Sequence, residues 1–191
     1  MGAGFSRPFG RAARPALFVF ADQMTRRTFV GQGAAAVVAV LAAACNSTPP
    51  LANTRASAEA LAAAVLDALA RGDRAALDGL ALSEQEFRDY VWPGLPASRP
   101  ERNLPFSYVW GELHQKSDSA IPGTMQAHAG RQYVVTRVSF DGVTEYPGYR
   151  VHRAATFHVR DAADVETEIR VCGSVFQQDG AWKVFSYVVD E

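Results

Sequence analysis

The chain has 191 residues and a formal net charge of −1, and 20% of its side chains are charged. Beyond Cys45 it carries 14 basic and 19 acidic side chains, a net charge of −5. No basic cluster stands among them, which argues against nucleic acid as a partner and against electrostatic attraction to anionic lipid. The 146 residues past Cys45 are enough for one domain around one core.

In chain order, residues 1–23 hold three arginines and two prolines without a clear period, and read as an upstream extension; Met24 is the expected true start. Residues 24–45 read as an export signal. Arg26 and Arg27 precede 27 consecutive uncharged residues, Thr28 to Thr54, and Gly33 to Ala44 contains only Gly, Ala, Val and Leu. A charged start, a short apolar run and small residues before a cut define such a signal. The run is short for a bilayer span, which needs roughly 20 residues. Thr25-Arg26-Arg27-Thr28-Phe29-Val30 is similar to the twin-arginine class of signals. That resemblance implies export of an already folded protein by the twin-arginine machinery, with Arg26 and Arg27 as the export motif.

Leu41-Ala42-Ala43-Ala44-Cys45 resembles the lipobox of bacterial lipoproteins, in which the Cys is lipidated and becomes the mature first residue. Here Ala42 stands three positions before the Cys, where that family prefers Leu. The resemblance implies a membrane partner through a lipid anchor at Cys45, and a place in the cell envelope on the periplasmic face of a membrane. The alternatives are a plain cut near Ala44, giving a soluble periplasmic protein, and an uncleaved anchor.

Residues 46–57, with Pro49-Pro50 and small polar side chains, read as a flexible tether, and residues 58–191 as the domain. Leu61, Val65, Leu66 and Leu69 fall on one helical stripe, with Ser57 placed to cap it and Gly72 to end it. Asp73 can cap a second helix carrying Ala76, Leu77 and Leu80. Ser83-Glu84-Gln85-Glu86 has capping-box spacing and opens a third, bearing Phe87, Tyr90 and Val91 and stopped by Pro93. A loop with four prolines follows, from Trp92 to Pro105. Phe106, Val109, Trp110 and Leu113 mark a fourth helix by spacing, with Pro122-Gly123 expected to break or kink it.

After Gly130 the apolar period becomes two. Gln132 to Phe140, Tyr149 to Val159, Val165 to Phe176 and Trp182 to Val189 read as four antiparallel strands in a meander. Asp141-Gly142 and Asp179-Gly180 are the expected hairpin turns. Helices followed by such strands, ending in Gly180-Ala181-Trp182-Lys183-Val184, resemble the NTF2-like (cystatin-like α+β) superfamily. The resemblance implies α+β architecture with N-terminal helices packed on a curved antiparallel sheet of about four strands, an NTF2-like cone. Trp182 is then expected in the core against the helix carrying Phe106, Val109, Trp110 or Leu113. Glu86-Phe87, Val91-Trp92-Pro93, Leu95 to Pro100, Asn103, Pro105 and Gly111 to Ser117 are also similar to a family of uncharacterised bacterial secreted proteins, which implies no activity.

No residues are expected to be catalytic, to bind a cofactor or to hold a metal. His152 and His158 share a strand face but lie six residues apart, ~20 Å at roughly 3.3 Å per residue, too far for one ion. Cys172 can face His152 or His158 across strands, but no glycine-framed nucleophile turn surrounds it; the simpler reading is a buried small hydrophobe, and the other a disulfide to Cys45. Arg137 and Arg153 interrupt apolar rows and are expected at a cavity mouth. Two functions remain: an exported envelope lipoprotein with a non-catalytic NTF2-like domain for a ligand or partner, and a small NTF2-like isomerase, dehydratase or hydrolase acting on an apolar substrate.

Overall fold

The computed structural model describes residues 48–189. The upstream extension, Met24, the Arg26-Arg27 motif and Cys45 lie outside these residues.

The helices form where local chemistry calls for them. Helix α1, Ala58–Arg71, starts at Ser57, whose side chain accepts from the Ala60 N–H, and ends at Gly72 in the left-handed conformation. It buries Leu61, Val65, Leu66 and Leu69. Asp73 caps α2, Arg74–Leu80, by accepting from Ala76 N–H. At α3, Glu84–Glu86, both capping-box bonds are made, and the chain runs on through a wide π turn, Phe87–Val91. Three 3₁₀ turns follow, Trp92–Gly94, Pro96–Ser98 and Pro100–Arg102, each with a proline in its first two positions. Proline's fixed φ suits that place, and its missing N–H would be unpaired there anyway.

Helix α4, Phe106–His128, runs through Pro122 without the break that was one of the two outcomes expected there. The buried Ile121 packs into the core beside the proline, and that packing holds the turn in place despite the lost N–H.

Seven strands follow, not four. They are β1 Tyr133–Ser139, β2 Gly142–Tyr146, β3 Tyr149–Arg153, β4 Thr156–Asp161, β5 Glu166–Ile169, β6 Ser174–Gln178 and β7 Ala181–Ser186. They make two open antiparallel sheets, one of order β1-β4-β5 and one of order β2-β3-β6-β7. The α+β class with helices first and strands last is therefore present. The single curved sheet of an NTF2-like cone is not, and this overturns the superfamily resemblance and both functions built on it.

The reason lies at the points where the chain changes sheet. The run read as one strand from Tyr149 to Val159 is split at Ala154, which takes a positive φ of 51°. Before it, β3 pairs with β2 and β6; after it, β4 pairs with β1 and β5. The run from Val165 to Phe176 divides likewise between β5 and β6. Asp141-Gly142 is such a change of sheet rather than a hairpin turn, since β1 and β2 lie in different sheets. Asp179-Gly180 does close a hairpin, β6 to β7, with φ of 48° and 79°, the paired positive values of a tight primed turn.

Side chains of the four-stranded sheet enter two apolar clusters in alternation. Val175 and Val184 join α1, α2 and the three-stranded sheet in one cluster. Phe176, Tyr149 and Val151 join Phe87 and Val91 in the other, with Phe106 and Trp110 of α4 packed against it. Trp182 does not pack against α4 as expected. It is half-buried and stacks on His152, with ring centres 4.9 Å apart. Phe185 instead joins the cluster that Phe106, Val109, Trp110 and Leu113 of α4 pack against, with its ring 6.1 Å from that of Phe87. Lys183 must turn toward Glu86, so period-two geometry sends Trp182 to the opposite face.

Candidate functional site

Where the two sheets part, the chain leaves a cleft of about 670 Å³, within the usual range for small-molecule sites. It lies along the links between strands, because residues that change sheet leave side chains and backbone without a neighbouring strand. Val151, Phe185 and Val188 give it apolar walls, and Asp141, Arg153, Arg170 and Ser174 bring its polar groups. Gly173 allows the C-terminal segment to cross closely: its N–H donates to Ser186 O, and a Cβ on it would overlap the Val188 carbonyl oxygen.

The two arginines differ in freedom. Arg170 Nε donates to Thr156 Oγ1 at 3.2 Å, and a terminal nitrogen lies 3.8 Å from the Asp141 carboxylate. Arg153 is exposed and lies across Gly142. It makes no ion pair or side-chain hydrogen bond to another described residue. Two guanidinium groups beside apolar walls can hold an anion with an apolar body. Arg137, the other arginine expected at a cavity mouth, instead reaches His158 Nδ1 at 3.3 Å.

Nucleophilic chemistry finds no support in this cleft. Cys172 is buried in the core with 1% exposure, and burial pushes its thiol far above the ordinary range, so the thiolate is not formed. Neither strand histidine pairs with it. His152 Nε2 meets Gln177 Oε1 at 2.9 Å, and His158 Nε2 meets Ser139 Oγ at 2.9 Å. The two histidines sit in different sheets. Among the described residues no group of three or more His, Cys, Asp or Glu gathers as metal ligands would.

A second polar constellation escaped the sequence reading. Lys183 of β7 is 2% exposed. Its ammonium donates to Ala52 O at 2.7 Å, Gly79 O at 3.3 Å and Glu86 Oε1 at 3.1 Å. The Glu86 carboxylate also accepts from the Ala52 and Ser83 N–H groups, both at 2.8 Å. Burial alone would raise the Glu86 carboxyl; the two N–H donors and the ammonium outweigh it and hold the group below the usual carboxylate range. Burial pulls Lys183 below the ordinary lysine range, with Glu86 opposing.

This clasp secures the segment expected to be a flexible tether. Tyr90 OH donates to Pro49 O at 2.5 Å, Ala52 is held from both its N–H and its carbonyl, and Arg55 pairs with Trp182 as a bridge. The chain is thus tied to the domain from Pro49 onward. Nothing in the sequence marks this except Glu86 in its capping box and the lysine of the Trp-Lys pair. The pairings span 34 to 131 residues.

Comparison with protein-family models, with curated proteins and with solved structures finds no match. Among the described residues no helix is long and apolar enough to cross a membrane.

Proposed function

We propose that the chain is an exported protein of the bacterial cell envelope, carried across the inner membrane by the twin-arginine machinery and held on the periplasmic face of a membrane by a lipid on Cys45. The domain is then a compact α+β body displayed at the membrane surface. The observation that carries this reading is the order Arg26-Arg27, an uncharged apolar run, small residues and Cys45, directly ahead of a chain tied into the domain at Pro49. Several acyl chains on one cysteine anchor almost permanently, since each buried methylene contributes about 0.8 kcal/mol.

Mass spectrometry of the mature N-terminus and membrane fractionation test the anchor. Lipid is expected on Cys45, and Cys45→Ser is expected to move the protein from the membrane to the soluble fraction. A Cys45→Ser variant that fractionates as the parent does would overturn the lipid anchor. Export is tested separately. Replacing Arg26 and Arg27 together by lysine is expected to leave the precursor in the cytoplasm, and undiminished export of that variant would remove the twin-arginine reading.

A further inference from the structure

We infer that the domain lies against the phospholipid surface through one particular face: the proline-rich turns and the start of α4, with Leu104 and Tyr108 directed at the headgroups. The inference rests on the lipid anchor proposed above and adds an orientation to it.

Chain length supplies the first argument. If residues 46–57 formed a free tether, a domain on twelve residues could tumble above the bilayer. Pro49 is instead fixed by Tyr90, and Leu51 packs into the cluster that includes Tyr90, Trp92, Leu95 and Phe106. Only residues 46–48 remain between Cys45 and that attachment. Four steps of extended chain, at most ~3.6 Å each, hold the lipid-bearing residue within about 14 Å of Pro49.

The surface beside the attachment supplies the second. Trp92 packs edge-on against Phe106, ring centres 5.5 Å apart. Arg88 lies over the same Phe106 ring at 3.8 Å, so the start of α4 adjoins the turn that carries Tyr90. Leu104 is 42% exposed and Tyr108 59% exposed, on either side of the Pro105 cap of α4. Tyrosine and tryptophan favour the headgroup level of a bilayer, with an apolar body and a polar tip.

Charge supplies the third. The domain as a whole is negative, but the stretch from Trp92 to Trp110 carries Arg99 and Arg102 against Glu101 alone. This face does not share the negative excess that keeps the rest of the domain away from anionic headgroups.

The test uses the lipidated full-length mature protein in vesicles of phosphatidylethanolamine and phosphatidylglycerol. Because Cys172 is buried and held protonated, a cysteine placed at an exposed site is the thiol that takes an environment-sensitive fluorophore. Tyr108→Cys and Leu104→Cys report on the inferred face; Val134→Cys, on the exposed side of β1, is the control. Brominated lipid is expected to quench the label at positions 104 and 108 at least twofold more than at position 134. Equal quenching at all three, or stronger quenching at 134, overturns the orientation. Mass spectrometry and vesicle flotation of the same samples separate the two readings. Lipid and flotation with equal quenching overturn the orientation alone. Absence of lipid with failure to float overturns the anchor, and the orientation with it.

Discussion

Replacing Lys183 by methionine is expected to destabilise the domain by about 3–5 kcal/mol at neutral pH, the usual cost of stranding one partner of a buried ion pair. Methionine fills much of the same space, so loss of packing is small. The cost arises because the Glu86 carboxylate stays buried at about 8% exposure with its ammonium partner gone, while Ala52 O and Gly79 O lose a donor. Combining Lys183→Met with Glu86→Gln is expected to recover part of the loss. No charge then remains to be compensated, but Ala52 N–H and Ser83 N–H bond different oxygens of Glu86, so the glutamine carbonyl accepts from only one of them, and about 1–3 kcal/mol persists for the groups left unpaired.

The pH dependence follows from the same geometry. In the parent, Glu86 is held below its ordinary carboxylate range. Its contribution is complete above the unfolded carboxylate value and is lost as pH falls through the lower folded value. Without Lys183, burial acts with less opposition and the carboxyl takes a proton more readily. The difference in stability between parent and Lys183→Met is therefore expected to shrink between pH 7 and pH 4, read by urea unfolding at each pH. A constant difference across that window would show that lost packing, not the stranded charge, dominates.

Gly173→Ala is expected to be comparably harmful, at about 3 kcal/mol or more, the upper part of the range for forcing added volume into a packed site. A Cβ at this position overlaps the Val188 carbonyl oxygen, which is backbone and has no rotamer to swing away. Relief requires the segment after β7 to leave the cleft, which also breaks the Gly173 N–H bond to Ser186 O. Gly111→Ala is the matched control. Gly111 is exposed within α4 and nothing lies within 4 Å of the added carbon. There alanine is expected to stabilise by about 0.5–1 kcal/mol through its better helix propensity. Chemical unfolding of the two variants should give changes of opposite sign.

The sequence is legible where structure is decided within a few residues. Ser57, Gly72, Asp73 and the Ser83–Glu86 box all act as caps at the helix ends read from them, because capping depends on neighbours two or three positions away. The turn at Asp179-Gly180 is equally local. The sheet changes were hidden because alternation of side chains continues across Ala154 while the hydrogen-bond partner changes, and period two carries no information about which strand lies alongside. From the alternation alone, one bent sheet and two separate sheets look the same. The cleft depends on those changes, so of its polar groups only Arg153 was expected at a cavity mouth, as a basic residue in an apolar row. The Lys183 clasp was illegible for a different reason: a lysine in a strand reads as solvent-facing until a carboxylate 97 positions earlier is known to face it.

The attachment of Ala52 and Arg55 to β7 also sets an order in time. These are among the first described residues of the domain to leave a ribosome, and the strand that receives them is the last of those described. Until Trp182 and Lys183 have been synthesised, Arg55 has no bridge partner and Ala52 has no ammonium at its carbonyl. The nascent domain therefore stays unclosed for more than a hundred residues of elongation. A chain threaded outward during synthesis would meet its first segment and its last strand only on the far side of the membrane. A chain retained until complete can close them before it departs.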